Sequence, residues 1–227
     1  MDRSSRKGEI AERLSAIRRE LPTGVTLIVV TKNFPVSDIE ILFELGERDF
    51  GENRVQELVA KREAIDEHVD DEITWHFQGQ IQSNKVALLN RNADVIHSID
   101  SEKVLERISP DREVFLQVNL DSKLSEGSRA GIGPAQLDEF SYLMVERFAG
   151  NFLGLMAVAP HFDGITTSQI GESFEGLNSL SRKVQQIAPR ATAISAGMSD
   201  DYRLALAHGA THIRLGSSIL GQRASKA

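Results

Sequence analysis

The feature that most constrains this chain is an alternation sustained from end to end: short apolar runs of strand type exchange with segments of helical period. A leading amphipathic helix carries the stripe Ile10, Leu14, Ile17 and Leu21, and Pro22 and Gly24 end it. Strands are then expected at 25–30, 48–50, 73–78, 94–99, 113–120, 152–158, 191–195 and 211–215. Helices are expected between them. One starts near Ser37, with Ser37 and Glu40 as a capping box, and stops at Gly46. Others cover 53–65, start at a Ser83 cap, and cover 101–108. A further helix opens at Pro134, and a long one carries Phe174, Leu177, Leu180, Val184 and Ile187. The last two run from a Ser199 cap to Gly209 and from Ser217 onward. The segment 121–133, rich in Gly and Ser, reads as a mobile loop. Buried parallel strands read as continuous apolar runs, and βα alternation without a second core points to a parallel sheet. Eight such units in 227 residues predict a single (β/α)8 TIM-type barrel with an extra N-terminal helix, one domain over 1–227. The alternative, an open doubly wound sheet, is weakened because no GxGxxG turn follows the first strand.

Charge and composition narrow the function. Lys plus Arg is 26 against 33 Asp plus Glu, a net charge of −7. Non-specific nucleic-acid binding needs a broad basic surface, so no nucleic-acid partner is expected. With no cysteine there is no disulfide, thiolate metal site or cysteine nucleophile. His97, His161, His208 and His212 are too scattered to argue a metal site. Residues 1–19 lack the apolar region of a signal peptide, and no stretch reaches the ~20 apolar residues of a membrane span. A cytoplasmic protein with no membrane partner is expected, and a monomer.

A (β/α)8 barrel carries its active site at the C-terminal ends of its strands. The residues there are unusually polar. Lys32 shares a strand face with Ile28 and Val30. At a barrel mouth a desolvated lysine has a lowered pKa and suits Schiff-base chemistry; this position taken alone favours an ordinary surface lysine ending a strand. Arg214, Leu215, Gly216 and Ser217 end the last strand and open a helix. That turn offers close backbone approach, a hydroxyl and N–H groups to a phosphate, or is a plain serine-capped turn. After the seventh strand, Ser195 and the 197–199 backbone supply the other wall of such a phosphate cup, or Ser199, Asp200 and Asp201 only cap a helix. His76, between Trp75 and Phe77, reads as a core histidine, and is the one histidine to test as a base.

Together these stretches resemble the pyridoxal phosphate homeostasis protein family, which is similar to the barrel domain of alanine racemase without its second domain. The resemblance rests on Val30-Thr31-Lys32, Phe50-Gly51-Glu52-Asn53, Trp75-His76-Phe77, Gln82-Ser83-Asn84-Lys85, His97-Ser98-Ile99-Asp100, Gln117-Val118-Asn119, Gly154-Leu155-Met156-Ala157, Gly197-Met198-Ser199-Asp200-Asp201 and the stretch from Arg214 to Gly221. They span about 28–223 in order. The resemblance implies that Lys32 carries pyridoxal 5'-phosphate (PLP) as an internal aldimine and that Ser195, Gly216 and Ser217 hold its phosphate. It further implies that Arg214 faces the pyridine nitrogen, with Asn53 near the cofactor. The chain departs from the family pattern at Asn33-Phe34, Arg54, Gln78, Gln80, Arg129-Ala130-Gly131 and Ser217, none of which removes Lys32 or Arg214.

An always-charged arginine at the ring nitrogen disfavours its protonation and gives a weak electron sink. The implied role is therefore a non-catalytic PLP carrier in intracellular PLP homeostasis, with PLP-dependent apo-enzymes as partners. A PLP-dependent amino-acid racemase is the alternative, and it needs a second base on the opposite ligand face. In alanine racemase that base comes from the second domain, which this sequence is not expected to carry.

Overall fold

The computed structural model describes residues 2–65, 67–120 and 130–222. Eight strands, β1 Thr26–Val30, β2 Asp49–Glu52, β3 Thr74–Phe77, β4 Val95–Ile99, β5 Glu113–Gln117, β6 Phe152–Met156, β7 Ala193–Ser195 and β8 His212–Leu215, close into a parallel barrel in chain order. β8 pairs back onto β1, with Thr26 opposite His212 and Val29 opposite Leu215. Ten helices are described: α1 Arg3–Glu20, α2 Val36–Glu44, α3 Val55–Ala64, α4 Glu67–Asp70, α5 Val86–Asn92, α6 Glu102–Leu105, α7 Leu137–Phe148, α8 Thr167–Ile187, α9 Tyr202–Ala207 and α10 Ser217–Leu220. The expected barrel and its leading helix are therefore present. The expected loop at 121–133 lies, over 121–129, outside the described residues.

Local chemistry differs from the sequence expectation in identifiable ways. α1 begins about two turns before its apolar stripe, because the Asp2 carboxylate accepts the Ser5 N–H at 2.9 Å. Its buried face is Ile10, Leu14 and Ile17, and Arg6 ties it to Asp38 (3.0 and 2.6 Å) and to the Leu220 carbonyl (3.0 Å). The Ser37–Glu40 capping box is not formed. Pro35 precedes the helix instead, and its carbonyl takes the Asp38 N–H at 3.1 Å, closing the first turn through backbone alone. Ser83 opens a short 3-10 turn without capping it. Nor does Ser199 cap: α9 starts at Tyr202, and the Asp201 carboxylate takes the Met198 N–H at 2.6 Å. β5 and β6 end before their apolar runs do, since the chain leaves the ladder while still lining the barrel rim, and β7 begins only at Ala193.

Strand alternation divides two cores. Leu27, Val29, Phe50, Trp75, Phe77, Ile96 and Leu155 face the helices. Inside the barrel a small apolar cluster of Val95, Phe115 and Met156 sits among polar side chains from other strands. Branched apolar residues usually fill this space; here His76, His97, Ser195 and Arg214 are buried in it. His97 stacks on Phe115 (4.5 Å, 12°), and His212 meets the same ring edge-on at 5.2 Å.

Burial disfavours the charged imidazole. His97 is held well below 6.5, and His212 is pushed down to about 4. Both bind protons more readily unfolded, so each costs stability as pH falls below 6.5. The buried carboxyls of Glu52, Asp100 and Asp201, all raised, act with the opposite sign. A His212→Asn variant isolates the histidine. In urea melts at pH 7 and pH 4, the parent should lose about 3 kcal/mol more than the variant between the two; equal losses would contradict the assignment.

Gly154 has φ +149°, and a Cβ there would lie 1.9 Å from the Ala193 carbonyl oxygen, its neighbour in the β6–β7 ladder. Backbone cannot yield as a side-chain tip does. Gly154→Ala should cost about 3 kcal/mol or more, or prevent folding, as read from denaturant melts followed by circular dichroism.

Candidate functional site

The loop after β1 presents Lys32, and it is clamped from below. Thr31 N–H bonds to the Gly51 carbonyl at 3.0 Å, and its hydroxyl donates to Glu52 at 2.5 Å. The buried Lys61 ammonium donates to the Thr31 carbonyl (2.7 Å), Glu52 (2.6 Å) and Glu57 (2.9 Å). Glu57 also accepts the Asn33 N–H, and Asn33 adopts φ +64°. Burial raises the Glu52 carboxyl above the usual range, while the Lys61 charge and its hydrogen bond oppose that shift. Sequence reasoning reaches Glu52 as a motif residue but misses Lys61. The i,i+4 pair of Glu57 and Lys61 is its one sequence signal.

At the C-terminal mouth of the barrel a cavity of about 240 Å³ opens, near the lower end of the ~300–1,000 Å³ range of small-molecule sites. Lys32, Asn53, Arg214, Gly216 and Ser217 all line it, as expected, together with Gln78 and Ser199. Met156, Val158 and Met198 add apolar surface. The mouth is tight because glycines let its walls approach. A Cβ on Gly216 would meet the Val30 carbonyl at 3.0 Å, and one on Gly79 the Asn53 carbonyl at 1.9 Å. A wider hollow of about 600 Å³ adjoins, sharing Val158, Met198 and Asp200.

Ser195 requires a correction. It does not line the cavity; it is fully buried inside the barrel. Its hydroxyl lies 2.9 Å from His97 Nδ1 and accepts from Arg214 Nη1 at 2.9 Å. As the last residue of β7, it points inward with the strand's alternation, one layer beneath the mouth. The hydroxyl that does reach the cavity is Ser199, beyond the turn at Gly197, where the sequence suggests a helix cap. Ser199 lies 3.2 Å from both the Ser217 and Ser218 hydroxyls, so three hydroxyls cluster between two loops.

Arg214 forms the floor. Nη1 donates to the Ser195 carbonyl (2.7 Å) and hydroxyl, and Nη2 to the Ala157 carbonyl (2.9 Å). Desolvation lowers its pKa to about 10, so it remains a cation at neutral pH. Asn53 Oδ1 and Gln78 Nε2 are buried without a hydrogen-bond partner among the described residues. One is an acceptor and one a donor, both beside the cavity, and buried polar atoms of this kind are ordinarily satisfied. The donor set suits an anionic, aldehyde-bearing heteroaromatic group: an amine, a cation at the floor, and clustered hydroxyls. Among the described residues no group of three or more His, Cys, Asp or Glu could hold a metal ion, and no helix is long and apolar enough to cross a membrane.

Comparison with known proteins identifies the family. The family model described as alanine racemase, N-terminal domain, matches residues 6–224. The pyridoxal phosphate homeostasis protein of Mycobacterium tuberculosis is 31% identical over 96% of this chain and 94% of its own length. Its Escherichia coli K12 counterpart is 32% identical over 95% and 97%. PipY of Synechococcus elongatus, solved with PLP bound, superposes with a TM-score of 0.79 at 37% identity, over 93% of this chain and 100% of that one. Alanine racemase of Corynebacterium glutamicum, at 12% identity and a TM-score of 0.69 over 94% of this chain and 60% of its own, shares the fold. The chain belongs to the alanine racemase N-terminal domain family, among its pyridoxal phosphate homeostasis proteins.

Proposed function

We propose that this protein binds PLP at the barrel mouth, held by Lys32 as a Schiff base, and acts in the cytoplasm as a PLP carrier for PLP-dependent apo-enzymes rather than as a catalyst. The observation that carries this reading is the convergence of Lys32, Arg214, Ser199 and Ser217 on one cavity of about 240 Å³. The names of the relatives, and the PLP bound to PipY, support it.

When bound, PLP supplies a reactive aldehyde and a ring able to accept electrons. The chain's own residues decide how far that chemistry runs. Lys32 Nζ forms the C=N bond, and the aldehyde oxygen leaves as water. The Ser199 and Ser217 hydroxyls, with the backbone at Gly216, receive the phosphate. Arg214 offers N–H donors to the ring nitrogen and, always charged, keeps a proton off it. That leaves a weak sink.

A racemase needs a second base across from the lysine. Among the described residues the cavity lining contains no imidazole and no phenol; its one carboxylate is Asp200. His76, the histidine singled out from the sequence, is buried within the barrel and bonded to His97 and Asp49, away from the lining.

The protein with added PLP should show a Schiff-base absorbance band that borohydride traps on Lys32, as mapped by peptide mass. Lys32→Ala should lose both band and adduct while keeping the parent's circular dichroism. The loaded parent should not exchange the α-hydrogen of L-alanine for deuterium in D2O. A trapped adduct on another lysine would overturn the site, and rapid exchange would restore the racemase.

A further inference from the structure

We propose that Asp49, His76, His97 and Ser195 form a one-way hydrogen-bond chain through the barrel interior that fixes Arg214 as a donor-only floor, making Asp49 a positioning residue at the opposite end of the barrel. Only the use of that floor rests on the cofactor reading above; the chain is a property of the protein alone.

The links are continuous. Arg214 Nη1 is 2.9 Å from Ser195 Oγ, and Ser195 Oγ is 2.9 Å from His97 Nδ1. His97 Nε2 is 2.9 Å from His76 Nδ1, and His76 Nε2 is 2.9 Å from Asp49 Oδ1. Four strands and the start of β2 contribute one member each, so the chain crosses the interior rather than following a strand.

The two ends set its direction. A guanidinium only donates, and a carboxylate only accepts. Arg214 donates to the Ser195 oxygen, so the hydroxyl proton goes to the acceptor beside it, His97 Nδ1. His97 must then carry its proton on Nε2 and give it to His76 Nδ1. His76 in turn carries its proton on Nε2 and gives it to Asp49. The reversed arrangement would point two donors at Ser195 and leave its hydroxyl proton unpaired in a fully buried position. An unpaired buried donor costs ~1–3 kcal/mol, and a bare imidazole lone pair would also face the Asp49 carboxylate.

The two rings sit among groups of both signs and apolar side chains. Facing the chain are Arg214 and His212 from β8, Asp49 from β2, and the apolar Phe115, Val95 and Met156 from β5, β4 and β6. Asp201 acts on Arg214 from the rim. Burial and the neighbouring cation hold His97 well below its ordinary value.

The effect on the cavity is definite. Three of Arg214's five N–H bonds are committed to Ser195 and Ala157, leaving one on Nη2 and the one on Nε. Every proton in the chain already points away from the cavity. The interior therefore supplies no proton to a group resting on Arg214.

The test uses cofactor-free protein labelled with ¹⁵N at histidine and arginine. Long-range ¹H–¹⁵N correlation at pH 7 should show His76 and His97 both as Nε2–H tautomers. An Nδ1–H tautomer or an imidazolium at either ring overturns the proposal. Asp49→Asn, nearly isosteric and part-exposed, replaces an acceptor by a group that also donates. It should introduce the Nδ1–H form at both rings and shift the Arg214 Nε–H resonance. In a Ser195→Ala background the same substitution should leave that resonance unmoved; an equal shift with and without Ser195 counts against the chain. Borohydride trapping on Lys32 reports separately on the cofactor reading, so either can fail without the other.

Discussion

A guanidinium inside a barrel has no water to satisfy it, and much of this molecule answers that constraint. Arg214 is only 4% exposed, yet it is a cation at neutral pH. A buried charge is tolerable when its hydrogen bonds are met. The carbonyls of Ala157 and Ser195, at the ends of neighbouring strands, take two, and the Ser195 hydroxyl takes a third. That hydroxyl needs an acceptor, which brings in His97, then His76, then Asp49 at the solvent-reaching end. The polar character of the barrel interior follows from one residue at its top.

The two lysines near the site show why burial alone does not define a reactive amine. Lys61 is deeply buried, but two carboxylates and a carbonyl surround its ammonium at 2.6–2.9 Å. All three donors of that ammonium are thereby engaged. Lys61 thus serves as a rivet for the turn that carries Lys32. Lys32 lies instead on the cavity that Arg214 also lines. Glu52 completes the division: its protein partners lie on the Lys61 and Thr31 side, away from the cavity lining.

The barrel is legible because parallel strands covered on both faces leave unbroken apolar runs, and all eight lie where those runs stand. Their ends are not. Val118, Leu120 and Val158 remain apolar after the ladder stops, because they line rim hollows. Serine caps also mislead, since Ser37, Ser83 and Ser199 satisfy composition rules while Pro35, Gln82 and Asp201 occupy the cap positions. At the site, single residues ending long strands are readable: Lys32, Asn53, Arg214, Gly216 and Ser217. Ser195 and Ser199 are not separable. Gly197, at φ +94°, turns the chain between them, and nothing in the sequence states which serine the turn leaves inside. The interior chain is invisible for a related reason: its members sit in strands far apart in sequence and meet only when the barrel closes.

The division between floor and rim bears on what separates a carrier from a catalyst on this fold. The floor is built from strand residues whose positions are fixed by the ladder, and it delivers one electronic setting, a charged donor with no proton to give. Turnover would require a group on the rim that takes a proton from a substrate and returns it on the other face. The rim here presents the hydroxyls of Ser199 and Ser217, the thioether of Met198 and the carboxylate of Asp200. Hydroxyls hold an anion without exchanging protons at neutral pH, and a thioether has none to exchange. Asp200 therefore carries the whole question of second-base chemistry among the described lining residues, and it stands on the α9 approach, the same segment that supplies Ser199. Ser199 and Asp200 are adjacent in one short segment, so the single lining carboxylate among the described residues cannot shift without moving the hydroxyl beside it.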